Sequence, residues 1–215
     1  VPEMRFFHCT WAFVLILAAA AAAPAQTPAA TGYSVFLRGM PIGRENVTVQ
    51  SDASGTTVVT DGRVSAPADL IIRRAEFKYG PDGAAQSFSL DATSGGGDVF
   101  IRTTIANGTA VTQGTQTGKP VSFTHPVSPQ AVIHANGIFG SYVALARRLA
   151  TTSAGSELKM YVIPQAEITV RVTAVQDERM QLGADFLDVR RYDLVFVNPG
   201  GGLGPHVQVG RDAWL

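Results

Sequence analysis

The chain of 215 residues holds a single cysteine, which excludes an internal disulfide. It also lacks an excess of either charge. Seventeen Lys and Arg balance 17 Asp and Glu, and charged residues make up only 16% of the chain. Nucleic-acid binders rely on a basic face that neutralises phosphates, so this balance speaks against that class. The Gly-x-Ser-x-Gly turn that exposes the nucleophile of α/β-hydrolases is absent. Beyond the first 25 residues there is no apolar run long enough to span a bilayer. A domain of this length buries roughly 70% of the surface its unfolded chain exposes, so it needs no metal or disulfide to hold it. What is abundant is apolar residues, at 46%, and turn formers, with 22 Gly and 12 Pro.

The densest apolar stretch lies at the N-terminus. Met4-Arg5 opens a short basic region, residues 6–23 are almost wholly apolar, and Ala23-Pro24-Ala25 matches the small-x-small pattern of signal peptidase sites. About 18 apolar residues is the lower edge of what spans a membrane. The alanine-rich end and the cleavage pattern favour export over a retained anchor. We therefore expect a signal peptide over residues 1–25, a spacer over 26–31 and a β-rich domain over 32–215. Cys9 lies within the leader, so the expected mature chain has no cysteine.

From residue 33 onward, short segments alternate apolar and polar residues between Gly, Pro, Asn and Asp, the pattern of half-buried strands. Strands are expected at 33–38, 45–51, 56–60, 70–79, 84–91, 99–106, 109–113, 157–163, 167–175 and 186–197, with a last one through Val207 and Val209. In the second of these, Val47 and Val49 share one face while Asn46, Thr48 and Gln50 share the other. Gly39-Met40-Pro41-Ile42-Gly43 and Gly80-Pro81-Asp82-Gly83 read as turns. Asn107-Gly108 is the strongest hairpin signal, since both residues tolerate the positive φ of a type I′ turn. The alternation shifts phase at Arg190-Arg191, which points to a bulge there.

One segment breaks this rhythm. Over residues 137–152, Ile138, Tyr142, Leu145 and Leu149 recur at three- and four-residue steps, widened by Phe139, Val143 and Ala146. Arg147 and Arg148 fall where a helix dipole favours cations. The spacing predicts an amphipathic helix. The chain then ends on the apolar pair Trp214-Leu215 within a strand pattern, from which we expect the natural reading frame to continue.

The strand opening at Tyr33-Ser34-Val35, the turn Gly39-Met40-Pro41-Ile42-Gly43, the order of strands and helix, and Phe186, Val189, Arg191-Tyr192 and Trp214 together resemble a family of Gram-negative periplasmic domains of unknown function. The resemblance implies a curved antiparallel sheet or open half-barrel wrapped around one helix, similar in outline to periplasmic lipoprotein and lipid carriers. It also implies a periplasmic or secreted location. In some proteins a similar domain precedes a secreted α/β-hydrolase domain. The family carries no established catalytic residues over to this chain.

No constellation in the sequence points firmly to catalysis or metal binding. His125 and His134 are nine residues apart in a segment read as a loop, between and beyond Pro126 and Pro129, which is poor spacing for two ligands on one element. His206 follows Gly-Pro and reads as a turn residue. Gly114-Thr115-Gln116-Thr117-Gly118-Lys119-Pro120 departs from a phosphate loop in its spacing and in the Pro where Ser or Thr belongs. Asp185, Asp188 and Asp193 interleave with Arg190 and Arg191, and Arg73-Arg74 lie beside Glu76, both as expected of solvated cross-strand ion pairs. The triplets at Asn46 and Asn107 match the glycosylation pattern by chance in a bacterial-type protein.

The remaining candidate is the helix. A half-barrel leaves a concave face that a helix either plugs or covers as a lid over an apolar cavity. Ile138, Phe139, Tyr142, Val143, Leu145 and Leu149 would form that contact, with Gly137 and Gly140 as possible hinges. The expected fold is mainly β: a curved antiparallel sheet or open half-barrel of about ten strands with one amphipathic helix packed on it. The expected function is that of a non-catalytic exported binding or accessory domain for a lipid, another apolar molecule or an envelope component. The alternative is an N-terminal accessory domain of a secreted α/β-hydrolase. No catalytic, cofactor or metal residue is expected, and no nucleic-acid partner.

Overall fold

A computed structural model describes residues 29–37, 40–65, 68–198 and 206–210. The expected leader, the first residues of the expected spacer, the glycine run 199–205 and the end at Trp214-Leu215 lie outside them. The described residues are mainly β, with thirteen strands in two sheets and one helix. The first sheet is a continuous antiparallel meander, curled into a half-barrel: β1 (Thr31–Leu37), β2 (Met40–Asp52), β3 (Gly55–Val64), β4 (Leu70–Tyr79), β5 (Ala85–Ser94), β6 (Gly97–Ala106), β7 (Thr109–Gln116) and β8 (Lys119–Pro126). The second sheet holds β9 (Val132–Ala135), β10 (Glu157–Ile163), β11 (Ala166–Leu182), β12 (Asp185–Asn198) and β13 (His206–Gly210), in the order β13-β12-β11-β10-β9. The helix α1 (Ser141–Ala150) connects β9 to β10, and these two pair in parallel because a helical crossover returns the chain in the same direction.

The period of two explains the meander strand by strand. In β6, Val99, Ile101, Thr103 and Ile105 are buried while Asp98, Phe100, Arg102 and Thr104 face out. Thr103 is accommodated by its neighbour on β7, Thr112, whose hydroxyl lies 2.8 Å away. In β4, Leu70 and Ile72 point inward and the phase then changes so that Ala75, Phe77 and Tyr79 do too. A register irregularity between Ile72 and Arg74 supplies the extra residue that makes this possible. Asn107 and Gly108, at φ of 51° and 73°, form the two-residue turn between β6 and β7.

The core has two parts that meet at the helix. One lies inside the half-barrel, where Phe77 and Phe88 pack at 4.9 Å between ring centroids, Ile133 and Tyr161 close it from the second sheet, and Ile138 closes it from the turn before the helix. The other lies between α1 and the second sheet, with Leu145 and Leu149 against Val170, Val172, Tyr192 and Leu194. Ala144 packs against both.

Several expectations are corrected. The segment containing His125 and His134 is no loop: His125 lies in β8 and His134 in β9. Pro120 and Pro126 obscured β8, which tolerates them because it is the edge of its sheet. Met40 to Gly43 belong to β2 rather than to a turn. The helix starts at Ser141, not Gly137, since residues 138–143 are bonded at three-residue separation before the regular helix begins. The ladder runs regularly through Arg190 and Arg191. The β11–β12 pair has two irregularities elsewhere: Val197 of β12 is the extra residue opposite Thr169 and Val170, and Thr173 of β11 is the extra residue between Val172 and Ala174. The Gly-rich stretch before Lys119 is a hairpin turning at Thr117-Gly118.

Candidate functional site

A ten-residue helix is marginal by itself and depends on what holds its ends. No side chain of the Gly140 N-cap can satisfy the free N–H groups of the first turn. Ser141, Tyr142 and Val143 N–H bond instead to the carbonyls of Ile138, Phe139 and Gly140, and the two N–H groups just ahead of the helix are met from across the molecule by Glu45 of β2, whose side chain is fully buried. Glu45 Oε1 accepts from Phe139 N–H at 2.8 Å, and Oε2 accepts from Gly140 N–H at 2.9 Å and from the Thr60 hydroxyl at 2.9 Å. A carboxylate is favoured at this end of a helix because the aligned peptide dipoles leave partial positive charge there. Gly140 is therefore an anchor: a Cβ on it would stand 2.8 Å from Thr60 Cγ2. At the other end Arg148 donates to Gln130 Oε1 at 2.9 Å and to the Gly83 carbonyl at 3.1 Å, and Arg147 to Ser51 Oγ at 3.1 Å.

Held this way, α1 turns one face to a cavity of about 440 Å³. Phe139, Tyr142, Val143 and Ala146 line it from the helix side, and Glu45 and Val47 from β2. Its remaining walls are residues 33–36 of β1 and residues 207–210 of β13. The Phe139 and Tyr142 rings stack at 5.8 Å between centroids. Tyr33, Phe36 and Tyr142 are 44%, 59% and 41% exposed, a concentration of accessible aromatic surface around one opening. Among the described lining residues the only charged group is Glu45, already occupied by three donors.

The six residues expected to contact a ligand or lid thus divide. Phe139, Tyr142 and Val143 line the cavity. Ile138 is buried in the half-barrel core, and Leu145 and Leu149 are buried against the second sheet. Sequence reasoning missed Glu45 and the two strand walls. Glu45 had a signal, since it shares the inward face of β2 with Val47, and a carboxylate on an apolar face must find buried donors.

His134, His125, Tyr79 and Tyr161 have structural partners. Ser141 Oγ donates to the Ile138 carbonyl at 2.7 Å, so its 3.1 Å contact with His134 Nδ1 makes the serine the acceptor and places the imidazole proton on Nδ1. With Ser141 almost fully buried and its proton committed to the main chain, this Ser–His pair is not arranged as a nucleophile and base. Burial lowers the His134 pKa and raises those of Tyr142 and Tyr79. Tyr79 joins the two sheets, its hydroxyl accepting from Ile133 N–H at 3.1 Å. His125 Nδ1 lies 3.3 Å from the Tyr161 hydroxyl. The His206 side chain is outside the described set.

Several exposed and half-buried carboxylates pair with arginine or lysine on the strands; of the three aspartates expected to do so, Asp193 does, beside Arg191 on its own strand. Arg190 pairs with Asp177 at 2.9 Å, Arg191 with Glu178 at 3.1 Å and with Asp193 at 2.7 Å, and Arg74 and Lys78 both pair with Glu76. Another cavity, of about 490 Å³, adjoins His125, Ser128 and Glu167, but Ser128 engages both Glu167 oxygens. Among the described residues no three His, Cys, Asp or Glu side chains cluster as a metal site would require, and no helix is long and apolar enough to cross a membrane. No protein-family model, curated protein or solved structure matches the chain.

Proposed function

We propose that this chain is a non-catalytic, exported binding domain that holds an apolar ligand, or the apolar part of an envelope component, in the cavity beside α1. The observation that carries this reading is the cavity itself. Its volume of about 440 Å³ falls in the range of small-ligand sites, and its walls are mostly aromatic and aliphatic. The exposed rings of Tyr33, Phe36 and Tyr142 would be withdrawn from water by an apolar occupant, which is favourable by about 25 cal/mol per Å² covered. Export is supported by the basic start and apolar run of residues 4–25.

Titration with Nile red, an uncharged apolar dye, should give saturable fluorescence. Tyr142→Ala removes a ring that stacks on Phe139 at the opening and should weaken binding about five- to tenfold, from the worth of one aromatic contact. An unsaturable signal, or an unchanged dissociation constant in a folded Tyr142→Ala protein, overturns the reading. Export is tested separately: protein recovered from the periplasm should begin at Gln26.

A further inference from the structure

The cavity meets its walls in two different ways. A sheet face presents alternate residues, as β2 does with Glu45 and Val47. A helix face presents three- and four-residue steps, as α1 does with Tyr142, Val143 and Ala146, continued by Phe139 in the turn before it. β1 and β13 instead contribute four consecutive residues each, 33–36 and 207–210. Consecutive lining means that the cavity runs along the strand edges, where backbone N–H and C=O groups point. Both strands are terminal: β1 pairs with β2 alone and β13 with β12 alone among the described residues.

The other two sheet edges carry the features that discourage strand addition. β8 has Lys119, Pro120 and Pro126, and β9 is only four residues long. β1 and β13, by contrast, contain no proline and no Lys, Arg, Asp or Glu. β9, also free of proline and charge, is shorter still than the five-residue β13, so β1 is the longest edge without such features, and β1 and β13 are the two edges that flank the cavity.

From this we infer that the slot takes an extended polypeptide segment, added as a strand between β1 and β13 with apolar side chains directed at α1. The inference rests on the binding-domain reading and specifies its ligand. A lipid chain could cover the aromatic rings but would leave two rows of backbone donors and acceptors unmatched. An extended peptide satisfies both rows and places every second side chain on one face. Four residues of strand correspond to about 13 Å of peptide. Because Glu45 is the only charged group among the described lining residues and is already engaged, the side chains facing the helix should be uncharged.

The test uses the full chain and a labelled peptide, Lys-Thr-Val-Thr-Val-Thr-Val-Lys, followed by fluorescence polarisation up to millimolar protein. Saturable binding that competes with Nile red is expected. Two versions of the peptide, N-methylated at the valines or at the threonines, keep their side chains but lose the donors facing one edge. Each should bind at least tenfold more weakly. Nile red binding without peptide binding, or N-methylated peptides that bind as well as the parent, overturns the strand inference and leaves the binding-domain reading intact. If neither probe binds, both fall. A dimer that occludes the slot and is not displaced by peptide assigns the slot to a second copy and overturns the inference as well.

Discussion

Glu45 shows how one side chain can fix the position of an element 94 residues away, through its bond to Phe139 N–H. Glu45→Ala would leave the buried Gly140 N–H, the half-buried Phe139 N–H and the Thr60 hydroxyl without their acceptor, at about 1–3 kcal/mol for each group left unsatisfied. Urea denaturation should therefore show a loss of at least about 3 kcal/mol, and a loss under 1 kcal/mol would contradict the anchoring role. Glu45→Gln keeps one acceptor oxygen and should cost less. His134 has the opposite kind of influence. Burial holds its pKa below the ordinary imidazole value of about 6.5, so the unfolded chain binds its proton more readily than the native one. Stability from this residue is full above about pH 6.5 and falls as pH drops from there toward the lowered native value. His134→Gln should flatten the decline in melting temperature between about pH 7 and pH 5, and an unchanged slope would show that other groups produce it.

The helix was visible in the sequence through its three- and four-residue spacing, and its basic last turn is where the dipole favours it. Its first turn was not, because its cap comes from β2 rather than from a neighbouring residue. Gly140→Ala tests that junction: the added Cβ would press on Thr60, and a crowded contact of this kind costs about 1–3 kcal/mol. Thr60→Ser removes the methyl while keeping the hydroxyl that reaches Glu45, so the double variant should recover part of the loss. Strictly additive effects in the double-mutant cycle would locate the strain elsewhere. Among the strands, β4 and β10 were readable to their ends because alternation and turn residues agree there. β8 was hidden by its prolines and β9 by its four-residue length, so the two histidines on them read as loop residues. The bulge expected at Arg190-Arg191 was misplaced because the change of phase there leaves the register intact, whereas the extra residues are Val197 further along β12 and Thr173 on its partner β11.

At the scale of the molecule, the two core clusters share α1 and Ala144, and Tyr79 bonds from the first sheet to β9 of the second. The domain should therefore unfold as one unit. Far-ultraviolet and near-ultraviolet circular dichroism should give coincident urea transitions, and separated midpoints would show that the sheets unfold independently. The sequence by itself determined the β-rich class, the Asn107-Gly108 hairpin and the single amphipathic helix, because each rests on local periodicity or on backbone angles that few residues tolerate. Only the tertiary structure decided that the strands divide into two sheets with a parallel pair in the second, that Glu45 caps the helix, and that β1 and β13 flank one apolar cavity. Those features depend on which segments meet across the chain, 28 residues apart for Val132 and Met160 and 95 for Glu45 and Gly140. Local patterning sets which face of an element is apolar; it does not choose the partner that covers it.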